Sequence, residues 1–168
     1  MRFIDEKFKK YPEKYIYQSM MATFFIFIVM YFIDIIDHSA IVASMGASSF
    51  IVFTLPHQDI ARPRLVLGGY FVGILVGILC CFFGIQIVGG QHLLQKHNIL
   101  RALLASFSVG IAIFVMVVTN TEHPPAAGIA LGLVFNPWNI KTLLFIIIAA
   151  IVLSLIKKLF HRWMIDLL

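Results

Sequence analysis

Charged residues are scarce in this chain: they make up 12% of its 168 residues, against about 25% in soluble domains. Hydrophobic residues make up 61%, where soluble domains have roughly 45–50%. So few charged side chains cannot cover the surface of a soluble domain of this length. The composition therefore excludes a soluble protein and predicts an integral membrane protein, with the lipid bilayer as its main partner.

Cysteine is also rare. The chain has only Cys80 and Cys81, which are adjacent inside an apolar run, so a disulfide framework is excluded. Free cysteine behaves as a small buried hydrophobe, and we expect both to be packing residues. The formal net charge is +5, but most basic residues stand at the ends of apolar runs, where membrane topology explains them. Nucleic acid is therefore not an expected partner.

A cleavable signal peptide is not indicated. Residues 1–16 contain five basic and three acidic residues, and the apolar run that follows is too long for a signal core and lacks a small-residue cleavage site. We expect residues 1–16 to be a cytoplasmic segment before a retained first span. Its apolar residues fit either a short amphipathic helix on the membrane surface or a frayed tail; they are Phe3, Ile4, Phe8 and Tyr11.

Four apolar runs are long enough to cross a hydrocarbon core of about 30 Å as helices. They cover residues 17–36, 65–88, 99–118 and 140–159. Two other runs, 40–55 and 124–135, are too short to span as straight helices. The sequence therefore predicts an all-α polytopic membrane protein with six helical segments, of which the two short ones are broken or re-entrant.

The order long, short, long occurs twice, which predicts two structural repeats. The first membrane repeat covers residues 17–89 and the second 99–160, with a connecting loop at 90–98 and a cytoplasmic tail at 161–168. Six crossings would make the halves an inverted repeat, and four crossings would give them the same orientation. Paired short segments interrupted by glycine or proline indicate a transport site formed by discontinuous helices.

The distribution of Lys and Arg predicts that both termini are cytoplasmic. With the amino terminus inside, four crossings and six crossings both put ten basic residues inside and three outside. The positive-inside rule therefore does not choose between them. We favour six, because a short segment can cross where neighbouring helices or a water-filled cavity accommodate its broken part.

Three glycines at intervals of four, Gly69, Gly73 and Gly77, form one stripe on the helix predicted at residues 65–88. Such a stripe allows close approach of another helix. We expect it to pack within one chain or between copies, and we expect a homo-oligomer.

The most polar stretch within the apolar sequence is 119–128, Thr-Asn-Thr-Glu-His-Pro-Pro-Ala-Ala-Gly. Proline fits the first turn of a helix, so Pro124 and Pro125 predict a helix start. The following N–H groups would be unpaired at the positive end of the helix dipole, which favours an anion. The small residues of the first short run allow either close helix packing or a similar unwound start. The starts of the two short helices together predict a two-sided anion site made mainly of backbone donors. Its residues are Gly46, Ala47, Ser48, Ser49, His123, Pro124, Pro125, Ala126, Ala127 and Gly128.

His123 is the side chain of this stretch whose charge changes near neutral pH. It could neutralise a bound anion or pass a proton, or it could only hold the turn through a hydrogen bond. Glu122 is either its ion-pair partner or a charge at headgroup level. Arg62 and Arg64 either attract anions to a vestibule or anchor the chain. We assign gating or vestibule roles to Arg62, Arg64, Asn120 and Glu122.

The remaining acidic and histidine side chains can be assembled on paper into a metal site. Their spacings match no compact ligand pattern such as His-Glu-x-x-His. We therefore expect neither a metal nor another cofactor, and no enzymatic activity. The side chains in question are Asp34, Asp37, His38, His57, Asp59, Glu122 and His123. An intramembrane metal-dependent enzyme that uses Asp34, His38, His57 or Glu122 is kept as an alternative.

The stretch Glu-His-Pro-Pro-Ala-Ala-Gly at 122–128 resembles the HPP family of small integral membrane proteins, named for its His-Pro-Pro motif. Gly-Ala-Ser at 46–48 and Ala-Arg-Pro-Arg at 61–64, followed by Gly68-Gly69, add to the resemblance, which covers about residues 40–135. It implies at least four spans and nitrite transport, which is attributed to plastid and cyanobacterial members. In the family pattern a glycine directly follows the two prolines, whereas this chain has Ala126 at that position.

We predict a multi-pass transporter or channel for a small monovalent inorganic anion bound near the bilayer midplane, with nitrite as the first choice. The absence of an Arg/Ser-rich transit-like extension fits a bacterial inner membrane better than a plastid membrane. A non-transporting subunit of a membrane assembly is the remaining alternative.

Overall fold

The computed structural model describes residues 6–33 and 38–168. Its described part is built from helices without strands, which confirms the predicted all-α fold. A 3-10 turn, Asp59–Ala61, precedes the fourth α-helix. The α-helices are α1 (Glu6–Lys10), α2 (Pro12–Phe32), α3 (Ser39–Thr54), α4 (Pro63–Val88), α5 (Gln91–Lys96), α6 (Asn98–Thr119), α7 (Pro124–Phe135) and α8 (Ile140–Phe160).

Four of these helices, α2, α4, α6 and α8, are long and apolar enough to cross a membrane. The short apolar helices are α3 and α7. Proline occupies the first turn of α2, α4 and α7, where its missing N–H group is no loss. The left-handed residues Gly89 (φ 83°) and Asn120 (φ 52°) end α4 and α6, as is common at helix C-termini.

Two local predictions differ from the structure. A short helix, α1, forms before Pro12, but α2 already begins at Pro12, ahead of the first span predicted from residue 17; Phe3 and Ile4 lie outside the described residues. The connecting loop predicted at 90–98 contains α5, which forms because Leu94 is fully buried against the ends of α4 and α6. One apolar anchor thus orders a stretch whose other residues are mostly polar.

The first described residues and the carboxyl-terminal residues lie at the same end of the helical bundle, called here the terminal end. The Lys7 ammonium donates to the carbonyl of Leu168 at 3.0 Å, and the Lys14 ammonium donates to that of Trp163 at 2.9 Å. Helix α3 finishes at this end too, since the Leu167 N–H donates to the Thr54 carbonyl at 2.8 Å. The amino-terminal segment and the tail at 161–168 therefore face the same side of the bundle.

Helix α3 traverses the bundle and does not turn back. It begins at the opposite end, where His38 Nε2 lies 3.4 Å from Thr142 Oγ1 at the start of α8, and it ends beside Leu167. Helix α7 runs in the opposite direction, with Gly128 against Ser44 and Gly132 against Ile41. The six apolar helices therefore alternate in direction, and α6–α8 run opposite to α2–α4.

Helix α7 is the centre of the core. Its contact with α4 follows the predicted glycine stripe: a Cβ on Gly73 would lie 2.4 Å from the Ala126 carbonyl oxygen, and one on Gly77 would lie 3.0 Å from the Ala130 Cα. The prediction of a close-packing face within the chain is thus confirmed. The buried residues of α7 are Pro125, Ala126, Ala127, Ile129, Ala130, Gly132, Leu133 and Val134.

Candidate functional site

Three polar side chains from different helices meet inside the bundle. Ser48 of α3 is central: its Oγ lies 2.8 Å from the Tyr70 hydroxyl of α4 and 2.9 Å from Nε2 of His123, which precedes α7. Ser48 and His123 are fully buried, and Tyr70 is 2% exposed. The Tyr70 and His123 rings also contact each other, with centroids 5.8 Å apart. These residues are called the Ser48–Tyr70–His123 cluster below.

The local sequence explains why His123 reaches this position. Left-handed Asn120 ends α6, an extended segment follows, and the two prolines start α7 directly after His123. The helices can approach closely here because α4 has glycine at position 69, where a Cβ would lie 2.6 Å from the Cβ of His123. Gly69 is six residues from the start of α4, and Ser48 is six residues from the end of α3. The cluster therefore lies about 9 Å inside the terminal end.

The hydrogen bonds of His123 are incomplete. Ser48 contacts Nε2, whereas Nδ1 is buried and has no hydrogen-bond partner in the described part of the chain. The backbone of Ile60 comes near the ring but does not reach hydrogen-bond geometry with Nδ1. A neutral imidazole has one N–H donor and one acceptor nitrogen. Whichever tautomer is present, one polar atom of His123 is therefore left without a partner inside an apolar bundle.

A further hydroxyl group joins α3 to α7. The Ser44 Oγ, one helical turn before Ser48, donates to the Pro125 carbonyl. Ser44 and Ser48 therefore lie on one face of α3, and both contact the start of α7. Sequence reasoning missed Ser44 and Tyr70. The i, i+4 serine spacing, and a tyrosine hydroxyl directly after Gly68-Gly69 in an apolar helix, were the available signals.

The unwound helix start expected at residues 46–49 is not present in the structure. Gly46, Ala47, Ser48 and Ser49 lie in the interior of α3, which begins at Ser39, so their N–H groups belong to the helix. No proline interrupts residues 39–54, and a Cβ added at Gly46 would meet no atom within 4 Å.

The start of α7 forms as predicted, but it offers few free donors. Pro124 and Pro125 have no N–H group, and the Ala126 N–H donates to the His123 carbonyl at 2.8 Å. The N–H groups of Ala127 and Gly128 fall within the regular hydrogen bonds of the helix. The polar character of this region therefore comes from side chains, and a helix start alone does not form an anion site here.

The predicted site residues separate into two groups. Ser48 and His123 belong to the cluster. Ala126 packs against α4 and Gly128 against α3, while Ala127 is buried on the α6 side. Ala47 is exposed on α3. The Ser49 hydroxyl donates to the Met45 carbonyl of its own helix, and Gly46 lines a groove between α2 and α3. The structure does not bring these last three residues into the cluster.

The predicted vestibule residues come from two parts of the chain. Arg62 and Arg64 are at the start of α4, and Arg62 Nη2 pairs with Asp59 Oδ1 at 2.7 Å. Glu122 and Asn120 are exposed beside the end of α6. A cavity of about 270 Å³ approaches His123 from the α6 side, with Glu122 in its wall. Its other lining residues are Ile113, Met116, Val117, Pro124 and Ala127.

The candidate metal ligands do not converge. Among the described residues, no group of three or more histidine, cysteine, aspartate or glutamate side chains is arranged to hold a metal ion. His38 lies at the start of α8 and His57 at the terminal end. Asp34 and Asp37 lie outside the described residues.

Apolar helices that alternate in direction through a bundle, four of them long enough to cross a bilayer, define a multi-pass α-helical membrane protein. Residues 9–165 match the family described as HPP, transmembrane region, and the chain belongs to this family. A transmembrane protein of Dictyostelium discoideum is 29% identical over 91 residues, which are 54% of this chain and 28% of that relative. The chain thus matches less than a third of the relative's length. No solved structure matches the chain.

Proposed function

We propose that this protein is a transporter or channel for a small monovalent anion and that the Ser48–Tyr70–His123 cluster binds the anion. Nitrite is the first substrate to test, since the HPP family resemblance implies it. The observation that carries the proposal is the burial of two hydroxyl groups and an imidazole at the meeting point of three apolar helices. Polar side chains in membrane interiors are costly and are usually functional.

The chemistry of the cluster favours a small anion over a cation. Hydroxyl and imidazole groups can donate hydrogen bonds, and none of the three side chains is a carboxylate. The unpartnered Nδ1 of His123 leaves one hydrogen-bonding position available. The two contacts of Ser48 use two of the three donor hydrogens of the neutral cluster, so the third remains to be donated to a monovalent anion. The donors are side chains, which replaces the expectation of backbone donors at two helix starts.

An access route is available from the α6 side. The cavity of about 270 Å³ extends to His123 and is almost entirely apolar apart from Glu122. We assign Glu122 and Asn120 to the gate of this route, because both are exposed where α6 ends and the extended segment begins. Repacking of Met116 or Ile113 would open the cavity to the cluster.

The helix directions support a transporter architecture with six crossings. Helices α2–α4 and α6–α8 have the same order of long, short and long elements and run in opposite directions. Inverted repeats of this kind allow one half to rock against the other around a central site. We further propose a bacterial inner membrane, two inverted repeats at 17–89 and 99–160, and cytoplasmic termini, which place ten of the thirteen basic residues inside.

Uptake by purified protein in liposomes tests the function. Wild-type protein, His123→Ala and Ser48→Ala would be compared for uptake of nitrite, nitrate, formate and chloride. Ser106→Ala is the matched control, since Ser106 is an exposed serine that bonds only within α6. We expect nitrite uptake by the wild type and by the control. A loss of one or two hydrogen bonds to the ion predicts uptake roughly tenfold or more slower in the cluster variants.

One result would contradict the transport function, and another would contradict the role of the cluster. If folded wild-type protein takes up none of the four anions, the transport proposal is overturned. If uptake is intact in both Ser48→Ala and His123→Ala, the protein transports but the cluster is not its binding site. Thermal unfolding of each variant in detergent separates loss of transport from loss of folding.

A further inference from the structure

A second polar region, independent of the cluster, lies at the terminal end. A cavity of about 310 Å³ is lined by Pro63 at the start of α4 and by the last turn and C-terminal side of α8. Its charged lining residues are Lys157, Lys158, His161 and Arg162. All four are basic or can become cationic. The cavity has about ten times the ~30 Å³ that a water molecule occupies in the liquid.

Lys157 is the unusual member of this set. It is only 6% exposed, yet no hydrogen bond or ion pair within 4 Å engages its ammonium in the described part of the chain. The negative end of the α8 dipole favours a lysine in the last turn, but it does not explain why this lysine is buried. Its ammonium is not sealed in the core but reaches the open cavity, and several basic side chains around one cavity favour an anion there.

The nearby carboxylates are already engaged. Asp166 accepts a hydrogen bond from the His57 N–H at 2.9 Å and another from Gln58 Nε2 at 3.1 Å. Asp59 pairs with Arg62 at 2.7 Å. Asp166 offsets part of the positive charge near Lys157 and His161. The described lining of the cavity contains no carboxylate, so positive charge remains in excess there and favours an anion from outside the chain.

The surroundings of the cavity place it at the level of the membrane surface. It adjoins the end of α8, a helix long enough to span the bilayer. Leu159 and Trp163, on either side of His161, are exposed to 75% and 66%. Exposed leucine suits the acyl region, and tryptophan is enriched at the headgroup boundary. Clustered basic residues at this level attract anionic headgroups.

We propose that Lys157, Lys158, His161 and Arg162, arranged around Pro63, form a binding site for a phosphate group. The group is supplied either by an anionic lipid headgroup or by free inorganic phosphate. Lys157 and Lys158 contribute ammonium donors, and the Arg162 guanidinium can bind two phosphate oxygens together. The site ties the start of α4 to the end of α8, and these are the last helices of the two halves of the fold.

The experiment measures thermal unfolding of the full-length protein in a neutral detergent. Phosphatidylglycerol, phosphatidylcholine and inorganic phosphate are added separately, with chloride used to equalise ionic strength. The variants are the double substitution Lys157→Gln with Lys158→Gln, and the single substitution Arg162→Gln. Lys141→Gln is the control, because Lys141 is an exposed lysine in the first turn of the same helix.

We expect phosphatidylglycerol to raise the unfolding temperature more than phosphatidylcholine does. The double variant should require a roughly 30-fold higher phosphatidylglycerol concentration, and Lys141→Gln should behave as wild type. If inorganic phosphate gives the same shift and displaces the lipid, free phosphate is the source; if only the lipid acts, the headgroup is the source. No shift with either ligand overturns the site.

The proposed site is also overturned if phosphatidylglycerol raises the unfolding temperature equally in the wild type and in both sets of variants. Arg162→Gln covers the case in which the double variant does not fold, since Arg162 is exposed after the end of α8. This outcome is independent of anion uptake, because the cluster residues are unchanged in all of these variants.

Discussion

The two short helices, α3 and α7, are similar in composition but are held in place by different means. Helix α7 is enclosed by neighbours, and glycines of α4 bring its backbone into direct contact. Helix α3 has exposed residues along one side, including Phe50 at 55%, and its last carbonyls are bonded by other parts of the chain. The comparison shows that a short apolar segment can be fixed either by close packing or by bonding its free backbone groups.

The attachment of α3 depends on the carboxyl-terminal segment. The Gln18 amide donates to the carbonyls of Phe53 and Ile165 and accepts from the Ile165 N–H. The Leu167 N–H donates to the Thr54 carbonyl. Since the final carbonyls of a helix have no partner within it, these bonds complete the end of α3 and hold the tail against α2.

The largest expected effect comes from breaking the packing of α7. In Gly73→Ala, the new Cβ would lie 2.4 Å from the Ala126 carbonyl oxygen, a backbone atom that cannot move alone. Overpacking of this kind lowers the free energy of unfolding by about 1–3 kcal/mol. Denaturant titration in mixed micelles measures it.

The same substitution in α3 is the matched control. Gly46→Ala adds a Cβ that would have no atom within 4 Å, and alanine favours a helix by about 1 kcal/mol over glycine. We expect unchanged or higher stability. If the two variants lose stability equally, the distinction between an enclosed α7 and an open-sided α3 is wrong.

The next effect tests the attachment of α3. Gln18 is fully buried, and Gln18→Ala would leave the N–H and carbonyl of Ile165 without their partner. Leaving buried polar groups unpaired costs about 1–3 kcal/mol, and we place this variant slightly below Gly73→Ala because water can reach the tail. Limited proteolysis should also cut the tail sooner. Gln86→Ala, at an exposed site on α4, should change neither result.

A smaller effect would show how far the cluster joins α3 to α4, the helix that packs on α7. Ser48→Ala, Tyr70→Phe and the double variant form a thermodynamic cycle around the 2.8 Å contact between their hydroxyl groups. A hydrogen bond of this kind predicts a coupling free energy of about 1 kcal/mol. Strict additivity of the two single losses in unfolding free energy would show that the hydroxyls do not act together.

The boundaries of α3, α4, α6, α7 and α8 were predicted well, because apolar run length and proline positions fix them. Prediction failed where tertiary contacts decide the structure. Leu94 orders α5 through burial, which polarity alone does not indicate. The interior position of Gly46 in α3 was also missed, since small residues suit both close helix packing and an unwound start.

The candidate site was only half predictable. Ser48 and His123 were identified from the sequence, but Tyr70 was not, because a tyrosine in an apolar helix gives no sign of which way its hydroxyl group points. The donors expected at Ala126 were excluded by a bond to the His123 carbonyl, which depends on the local turn geometry. The helix start marks the location of the site, while its chemistry depends on which faces of α3 and α4 meet there.

The smallest expected effect concerns pH at the end of α3. Loss of hydration, with the His57 imidazole and the Lys157 ammonium nearby, lowers the pKa of His161 below its usual range, partly opposed by Asp166. The His161 and His57 rings are 4.4 Å apart, so a proton on His161 introduces repulsion in the folded state. Below about pH 6.5, the usual pKa of histidine, the unfolded chain therefore binds more protons than the folded chain. The free energy of unfolding then decreases as the pH is lowered.

Unfolding temperatures at pH 7.5 and pH 5.5 in chloride buffer check this expectation, since the two values bracket the usual histidine pKa of about 6.5. The unfolding temperature of His161→Gln should decrease less at the lower pH than that of the wild type does. Gly46→Ala should show the same decrease as the wild type. The change should be modest because His161 is exposed and solvent screens the repulsion. If His161→Gln loses as much stability as the wild type does, the charges around the tail do not govern its attachment, and the hydrogen bonds of Gln18 and Leu167 hold α3 by themselves.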